Sequence, residues 1–525
     1  MAALVGREFR TARERKAVLN RLLKDVSDRL WNRNARFEKA SKHYKLAVLA
    51  RENGNLGESE LHYRLSLQYD PESTTLNYNL GLLLLEVGDT EGAISSFARC
   101  LELDPHMQVA HSSLLAVHDY SGNATHAEVF VRHLEWAQKH ADSLAAGISR
   151  AGLTTPEDGC LRIGYISGDY CRHVISRFIE PVLRCHDRSR FRIFCFNNGS
   201  REDDMTMHLR GISDVWRDVG GMSDEALASQ ILEDGIHILV DLSGHSAGNR
   251  LLALALKPAP VQMTWMGYLN TTGMKAIDYK VSDFEADPSG SELFYRESLI
   301  RLPHPQWCYA PVAGPIVCPQ LHVLPRSPDI PVRFGCMTRF MKITAEVIGA
   351  WIRILGSVPG TTLRIVDVPL HPRRDDLIAR FRSEGMSERL ELLPSLTGES
   401  YWKCISEIDI ALDTFPYTGA TTTCDCLWMG VPVVTRAGCR GVERSATSLL
   451  SAVGLASLSA KNIDGYVERA ISLARDRPLL ADLRACLRDR MLASPVCDSE
   501  AFTRNLENGY LSAWDNRLAG LQSCT

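Results

Sequence analysis

Residues 413–435 read Asp413-Thr-Phe-Pro-Tyr-Thr-Gly-Ala-Thr-Thr-Thr-Cys-Asp-Cys-Leu-Trp-Met-Gly-Val-Pro-Val-Val-Thr435. The apolar run 408–412 just before them predicts a buried strand, which enters a turn holding Pro416 and Gly419. Thr421, Thr422 and Thr423 then open an apolar helix with Leu427 and Trp428, and a second strand is predicted over 431–435. Strand, turn, helix and strand in this order make one unit of a parallel α/β sheet. A helix that opens on Gly and Thr offers free backbone N–H groups and hydroxyls to an anion. Asp425 lies one turn further in, within reach of ribose hydroxyls. Together these groups suit a nucleotide diphosphate.

The same alternation extends outward. Strands are predicted at 333–337, 362–366 and 390–393, with helices at 345–355 and 374–384 between them. An earlier α/β run has strands at 161–167, 191–196, 236–242 and 261–266, and a helix at 224–233. The Pro-rich stretch 303–331 reads as the connection between the two runs. The expected lobes are 160–325 and 330–525. Two such halves face each other across a cleft, and ligands bind beyond the carboxyl ends of the strands.

Upstream, an internal repeat has a 34-residue step. Gly54, Gly88 and Gly122 keep it, as do Pro71 and Pro105; Leu46, Leu80 and Leu114; Ser59, Ala93 and Ala127; and Tyr63, Phe97 and Val131. This order of glycine, small residue, aromatic and proline resembles the tetratricopeptide repeat. About three helical pairs over 41–150 are the practical minimum for a stable stack. Arrays of this kind bind peptides or partner proteins; a spacer or a homo-oligomer contact is the other reading. Helix is expected to run to about 149, with a linker over 154–159. Residues 1–40 carry eleven Lys or Arg against five Asp or Glu, and Leu19, Leu22, Leu23, Val26 and Leu30 recur at helical spacing. They predict solvated basic amphipathic helices packed on a neighbouring element, or else a docking surface for an acidic partner.

Bulk properties narrow the class. The net charge of −4 over 525 residues gives no electrostatic case for nucleic acid. No apolar run approaches the roughly 18 residues of a membrane span. Fifteen cysteines lie scattered without zinc-type spacing, and no signal peptide is visible. The thiols therefore read as reduced and the protein as cytoplasmic.

Three loops carry further candidates. Ser167-Gly-Asp-Tyr-Cys-Arg-His173 follows the first strand, so His173 could bind or deprotonate an acceptor. Asp241-Leu-Ser-Gly-His-Ser-Ala-Gly-Asn-Arg250 offers His245 and Arg250 for a sugar or phosphate, or makes only a tight turn. Arg339 and Lys342 follow the strand ending at 337, and a lysine there can neutralise a diphosphate leaving group across from the Thr421 helix. No Asp-x-Asp metal site stands out, so no metal is expected; positive charge and a helix dipole can serve the departing phosphate.

From about residue 41 onward the chain resembles the O-GlcNAc transferase and SPINDLY family. The resemblance rests on Leu161-Arg-Ile-Gly-Tyr-Ile-Ser-Gly-Asp-Tyr170, Asp234-Gly-Ile-His-Ile-Leu-Val-Asp-Leu-Ser-Gly-His245, Lys257-Pro-Ala-Pro-Val-Gln262, Thr271-Thr-Gly273 with Asp278 and Tyr279, and Phe415-Pro-Tyr417 through Val434. It implies a GT-B fold and inverting, metal-independent transfer of a sugar to Ser or Thr of a protein held on the repeats. The implied donor is a nucleotide sugar, UDP-GlcNAc in one branch and GDP-fucose in the other. By the same resemblance Lys342 contacts the donor phosphates, Thr421 and Thr422 bind them from the helix start beside Thr423, Asp425 holds the ribose, and His173 stands near the reacting centre. Sugar or acceptor contacts are implied at His245, Thr271 and Arg444. Four positions depart from the pattern. Arg339 replaces a glutamine or asparagine, Tyr401 replaces a histidine facing the base, Tyr268-Leu-Asn-Thr271 replaces Tyr-Pro-Gly-Thr, and Gly441 replaces a histidine. They touch the donor pocket, so another hexose donor and a degenerate, non-catalytic scaffold stand as alternatives.

Overall fold

The computed structural model describes residues 34–122, 124–144, 159–319 and 330–522. Most of the basic N-terminal segment and residues 145–158 of the expected linker region lie outside the described residues. Residues 34–52 form one helix, so the boundary expected at 40 cuts through an element.

The repeat helices follow as Leu56–Tyr69, Thr74–Glu86, Thr90–Leu103, Gln108–Ser121 and His126–His140. The 34-residue glycines have one local role. Gly54, Gly88 and Gly122 take φ values of +74°, +78° and +67°, turns that residues with a Cβ rarely adopt. Ser59, Ala93, Tyr63 and Phe97 are buried at the helix crossings, as the period predicts. The third unit breaks the rule, because Ala127 and Val131 are exposed. Its helix instead buries Val129, His133, Trp136 and Ala137, largely against the first lobe, so the periodic face there is traded for a domain contact. Within the array, a Cβ on Gly81 would stand 2.6 Å from the Phe97 ring. Gly81→Val should therefore overpack this crossing by about 1–3 kcal/mol. A lowered melting midpoint by circular dichroism checks it.

The first lobe is a seven-stranded parallel sheet with β1 Leu161–Ser167, β2 Phe191–Asn197, β3 Val215–Asp218, β4 Ile238–Asp241, β5 Val261–Thr264, β6 Tyr279–Asp283 and β7 Ser298–Leu302. Its order is β3-β2-β1-β4-β5-β6-β7. The sequence did not reveal β3, β6 and β7; β3 and β7 are half-buried and carry charged residues, so they lack an apolar run. A short hairpin, β8 Val312–Ala313 with β9 Ile316–Val317, interrupts the Pro-rich connection.

The second lobe has β10 Arg333–Cys336, β11 Thr362–Ile365, β12 Leu390–Leu392, β13 Ile410–Leu412, β14 Val433–Arg436 and β15 Ser459–Ala460, ordered β12-β11-β10-β13-β14-β15 and all parallel. The last helix, Ser499–Gln522, falls within the range 330–525 expected for this lobe. It packs on the first lobe instead: the Tyr510 hydroxyl meets that of Tyr165 at 2.9 Å, and the Glu507 carboxylate meets His186 at 2.9 Å. The chain thus crosses back, and one apolar core runs through both lobes.

Candidate active site

Each sheet reverses strand order once, between β1 and β4 and between β10 and β13. Loops diverge at such a point and leave a crevice. In the second lobe the loops after β10 and β13 carry Lys342 and the Thr421–Trp428 helix, so both candidates arrive at one sheet edge. Lys342 Nζ donates to the Thr418 carbonyl at 3.0 Å, three residues before the helix begins. Asp413, at the end of β13, accepts from the Gly419 and Thr414 N–H groups at 2.9 Å each and from the Thr435 hydroxyl at 2.7 Å. It pins the turn to β14. Burial pushes the Asp413 carboxyl up to about 6 and pulls the Lys342 ammonium down to about 8, while the attraction of each for the other opposes both shifts.

The helix start is open. Ala420 occupies the cap position and offers no side-chain bond to the first N–H groups. Thr423 donates back to the Gly419 carbonyl at 3.1 Å and is spent inside the turn. Thr421 and Thr422 are half-buried at the mouth. The first turn of amides, the two hydroxyls and the ammonium form an anion cradle.

Asp425 stands differently from the ribose role implied for it. It is 1% exposed. Its Oδ1 accepts from Arg177 Nη2 at 2.7 Å and the Tyr309 hydroxyl at 2.9 Å, and its Oδ2 from Arg177 Nη1 at 3.2 Å and the Tyr401 hydroxyl at 2.9 Å. Four donors saturate a carboxylate, so no acceptor position is left for ribose in this arrangement. Arg177 and Tyr309 come from the first-lobe side of the cleft. Arg177 could have been anticipated: it sits four residues after His173, hence on the same face of the helix Val174–Cys185.

His173 caps that helix. Its Nδ1 accepts from the Ile175 N–H at 3.4 Å, so the neutral ring carries its proton on Nε2 and presents a donor there. Burial lowers its pKa; Asp169, 3.6 Å away, opposes this, and Arg339 of the opposite lobe adds to it. The two switch-point loops therefore face each other. Arg339 itself is 64% exposed and pairs with Asp367 at 3.2 Å.

Arg250 is spent within the first lobe, on Asp224 at 2.8 Å and Asn198 at 2.9 Å; three further candidates are held by neighbouring segments. His245 is buried between the repeats and the first lobe, where Nδ1 meets the Ser112 hydroxyl at 3.1 Å and Nε2 meets the Thr272 carbonyl at 2.9 Å. Thr271 is fully buried and donates to Glu297. Arg444 donates to the Glu285 carbonyl at 2.6 Å and so bridges the lobes. None of the three opens onto the cradle. Two departures from the family pattern meet in space: a Cβ at Gly441 would lie 3.0 Å from the Leu269 carbonyl. The altered 268–271 loop occupies the room a larger residue at 441 would need. Among the described residues no group of three His, Cys, Asp or Glu could hold a metal ion, no helix is long and apolar enough to cross a membrane, and the fourteen described cysteines are free thiols.

Helical repeats leading into two facing parallel-sheet lobes define the class, a tetratricopeptide array joined to a GT-B fold. The model of glycosyl transferase family 41 matches residues 111–308 and 320–506, and a tetratricopeptide repeat model matches 74–107. The chain belongs to glycosyl transferase family 41. It is 38% identical to the probable UDP-N-acetylglucosamine–peptide N-acetylglucosaminyltransferase SPINDLY of Solanum lycopersicum over 79% of this chain and 45% of that one. The Arabidopsis thaliana SPINDLY protein is also 38% identical, over 80% and 46%. This chain thus spans about half the length of the curated relatives it matches. A solved lysine-to-methionine mutant of the Thermobaculum terrenum O-GlcNAc transferase is 35% identical, with a TM-score of 0.86, over 98% of this chain and all of that one.

Proposed function

We propose that the chain is an inverting, metal-independent protein O-glycosyltransferase. It moves a sugar, GlcNAc from UDP-GlcNAc, to Ser or Thr of polypeptides held on the repeats. The single observation that carries this reading is the cradle: an uncapped helix start at Thr421 with the Lys342 ammonium tied to the same turn. The donor diphosphate rests on the helix amides, the Thr421 and Thr422 hydroxyls and Lys342. His173, reaching from the other lobe, donates from Nε2 to a phosphate or sugar oxygen. The acceptor hydroxyl attacks the anomeric carbon from the face opposite the diphosphate; the bond from that carbon to the phosphate oxygen breaks with its electron pair on the diphosphate, and the hydroxyl proton passes to the departing diphosphate. The negative charge that develops on the leaving oxygen meets fixed positive charge at the moment it forms. Docking on the repeats raises the local concentration of the acceptor.

A second reading keeps this chemistry and changes the donor to GDP-fucose or another hexose. It is favoured by Tyr401 and Asp425, which are bound to each other at 2.9 Å where the nucleoside of a UDP-sugar would be read. Calorimetry with UDP and GDP separates the readings. Tighter binding of UDP is expected, and incubation with mixed nucleotide sugars and a protein lysate should then add one N-acetylhexosamine mass to Ser or Thr. Tighter GDP binding with a deoxyhexose mass installs the second reading. No binding of either by folded protein leaves only a scaffold.

A further inference from the structure

Lys342 is held by more than its own loop. Its Nζ lies 4.0 Å from the centroid of the Tyr417 ring. That ring is nearly parallel to the ring of Tyr120, with centroids 4.8 Å and planes 12° apart. The Tyr417 ring is therefore a layer with a cation on it and a second ring stacked against it. Tyr120 belongs to the repeat helix Gln108–Ser121, not to either lobe. The residues beside it anchor the same contact. Gly122 turns at φ +67°, and a Cβ there would stand 3.3 Å from Pro416 Cγ, next to Tyr417. Asp119, 1% exposed, accepts from Arg440 of the second lobe and from Asn270 of the first, each at 3.2 Å. The end of this one repeat helix is thus clamped to both lobes at the turn that leads into the Thr421 helix.

A lysine stem has four rotatable bonds and a compact charge, so its position must be supplied by its surroundings. Here one N–H is spent on the Thr418 carbonyl and the ring face attracts the ammonium. Tyr120 lies stacked against that ring. We propose that Tyr417 and Tyr120 are positioning residues for Lys342, so that the repeat array completes the donor-phosphate pocket as well as holding an acceptor. The proposal rests on the reading of Lys342 as the diphosphate ligand. It separates two roles of the repeats, since an acceptor-holding role alone leaves donor binding untouched.

The test uses the full chain with no acceptor present and three variants: Tyr417→Leu, Tyr120→Leu and the ring-preserving Tyr417→Phe. Calorimetry measures UDP and GDP affinity. Separately, the rate at which an amine-acylating reagent labels Lys342 is followed by peptide mass spectrometry, which needs no nucleotide. Both leucine variants are expected to weaken diphosphate binding about ten-fold and to speed labelling of Lys342 several-fold. Tyr417→Phe should match wild type in both, because the ring face and not the hydroxyl holds the amine; loss in this variant overturns the proposal. Wild-type affinity and labelling in the leucine variants overturn it too. If wild type binds neither UDP nor GDP, the donor reading fails, and labelling alone decides the stack, unchanged rates overturning it. If Tyr417→Leu does not fold, Tyr120→Leu on the repeat side decides in its place.

Discussion

Replacing Lys342 by alanine should lower sugar transfer at least about a hundred-fold and leave the fold intact. The size follows from electrostatics. A preorganised positive group at a developing oxyanion contributes roughly 3 kcal/mol or more to the barrier, and each 1.36 kcal/mol is a factor of ten in rate. The fold should survive because Lys342 serves it little: its ammonium makes one hydrogen bond, to the Thr418 carbonyl, and lies over the Tyr417 ring, while Asp413 holds the same turn through Gly419, Thr414 and Thr435. Titration gives an independent signature. Burial has already brought the ammonium down to about 8. The charged form is the one that grips phosphate, so donor kcat/KM should be level near pH 7 and fall as pH rises through about 8. The stability effect has the other sign. The folded pKa lies below that of an unfolded lysine, so the cost of burying the ammonium is present in full below about 8 and is relieved between there and about 10.4. Activity should therefore fall over a range where the titration of this group raises stability. Lys342→Arg, charged throughout, should lose the alkaline limb even if its fork fits the turn poorly. A wild-type rate in Lys342→Ala, read by mass spectrometry of a glycosylated peptide, would sink the mechanism.

The elements that were legible in the sequence are those in which one local force dominates. The strand over 161–167 is an apolar run buried on both faces, and β1 matches it residue for residue. The helix Asp224–Glu233 starts after Ser223, whose hydroxyl accepts from the Ala226 N–H, and the expected bounds match. Glycine turns every 34 residues gave the repeat. What stayed hidden depends on contacts between distant segments. β7, in sequence Ser-Leu-Ile-Arg-Leu, becomes a strand only because β6 and the returning helix Ser499–Gln522 cover it. In the site, the Thr421 helix start and Lys342 could be paired because both follow strands that flank the switch point. The saturation of Asp425 could not be read, since its donors come from residues 177, 309 and 401. Nor could the burial of His245, which results from where the repeats dock, or that of Thr271, which Glu297 holds inside the first lobe. A histidine after a strand end has the same local sequence whether it faces a ligand or a neighbouring helix.

Arg177→Met should destabilise the protein by roughly 3 kcal/mol, a larger loss than any surface pair here would give. The pair it breaks is buried, with the two side chains 11% and 1% exposed. Removing the guanidinium leaves Asp425 as a carboxylate that water does not reach, held by the Tyr309 and Tyr401 hydroxyls alone. Stranding a buried charge costs about 3–5 kcal/mol, and the two hydroxyls place this case at the lower end. The partner substitution tests the cause. Arg177→Met with Asp425→Leu removes both charges, so much of the loss should return; two independent packing defects would instead add. Because the guanidinium also lies over the rings of Tyr309 and Trp402, at 5.3 and 5.8 Å, some loss should persist in the double variant. Melting midpoints of the four proteins give the coupling, and additive losses would count against an ion pair. The same set separates structure from ligand recognition. Arg177→Gln keeps hydrogen bonding to Asp425 but not charge, and it should recover part of the stability. If it also restores full nucleotide affinity, Arg177 acts by closing the lobes. If affinity stays low in a protein that melts near wild type, the guanidinium itself reads the nucleotide.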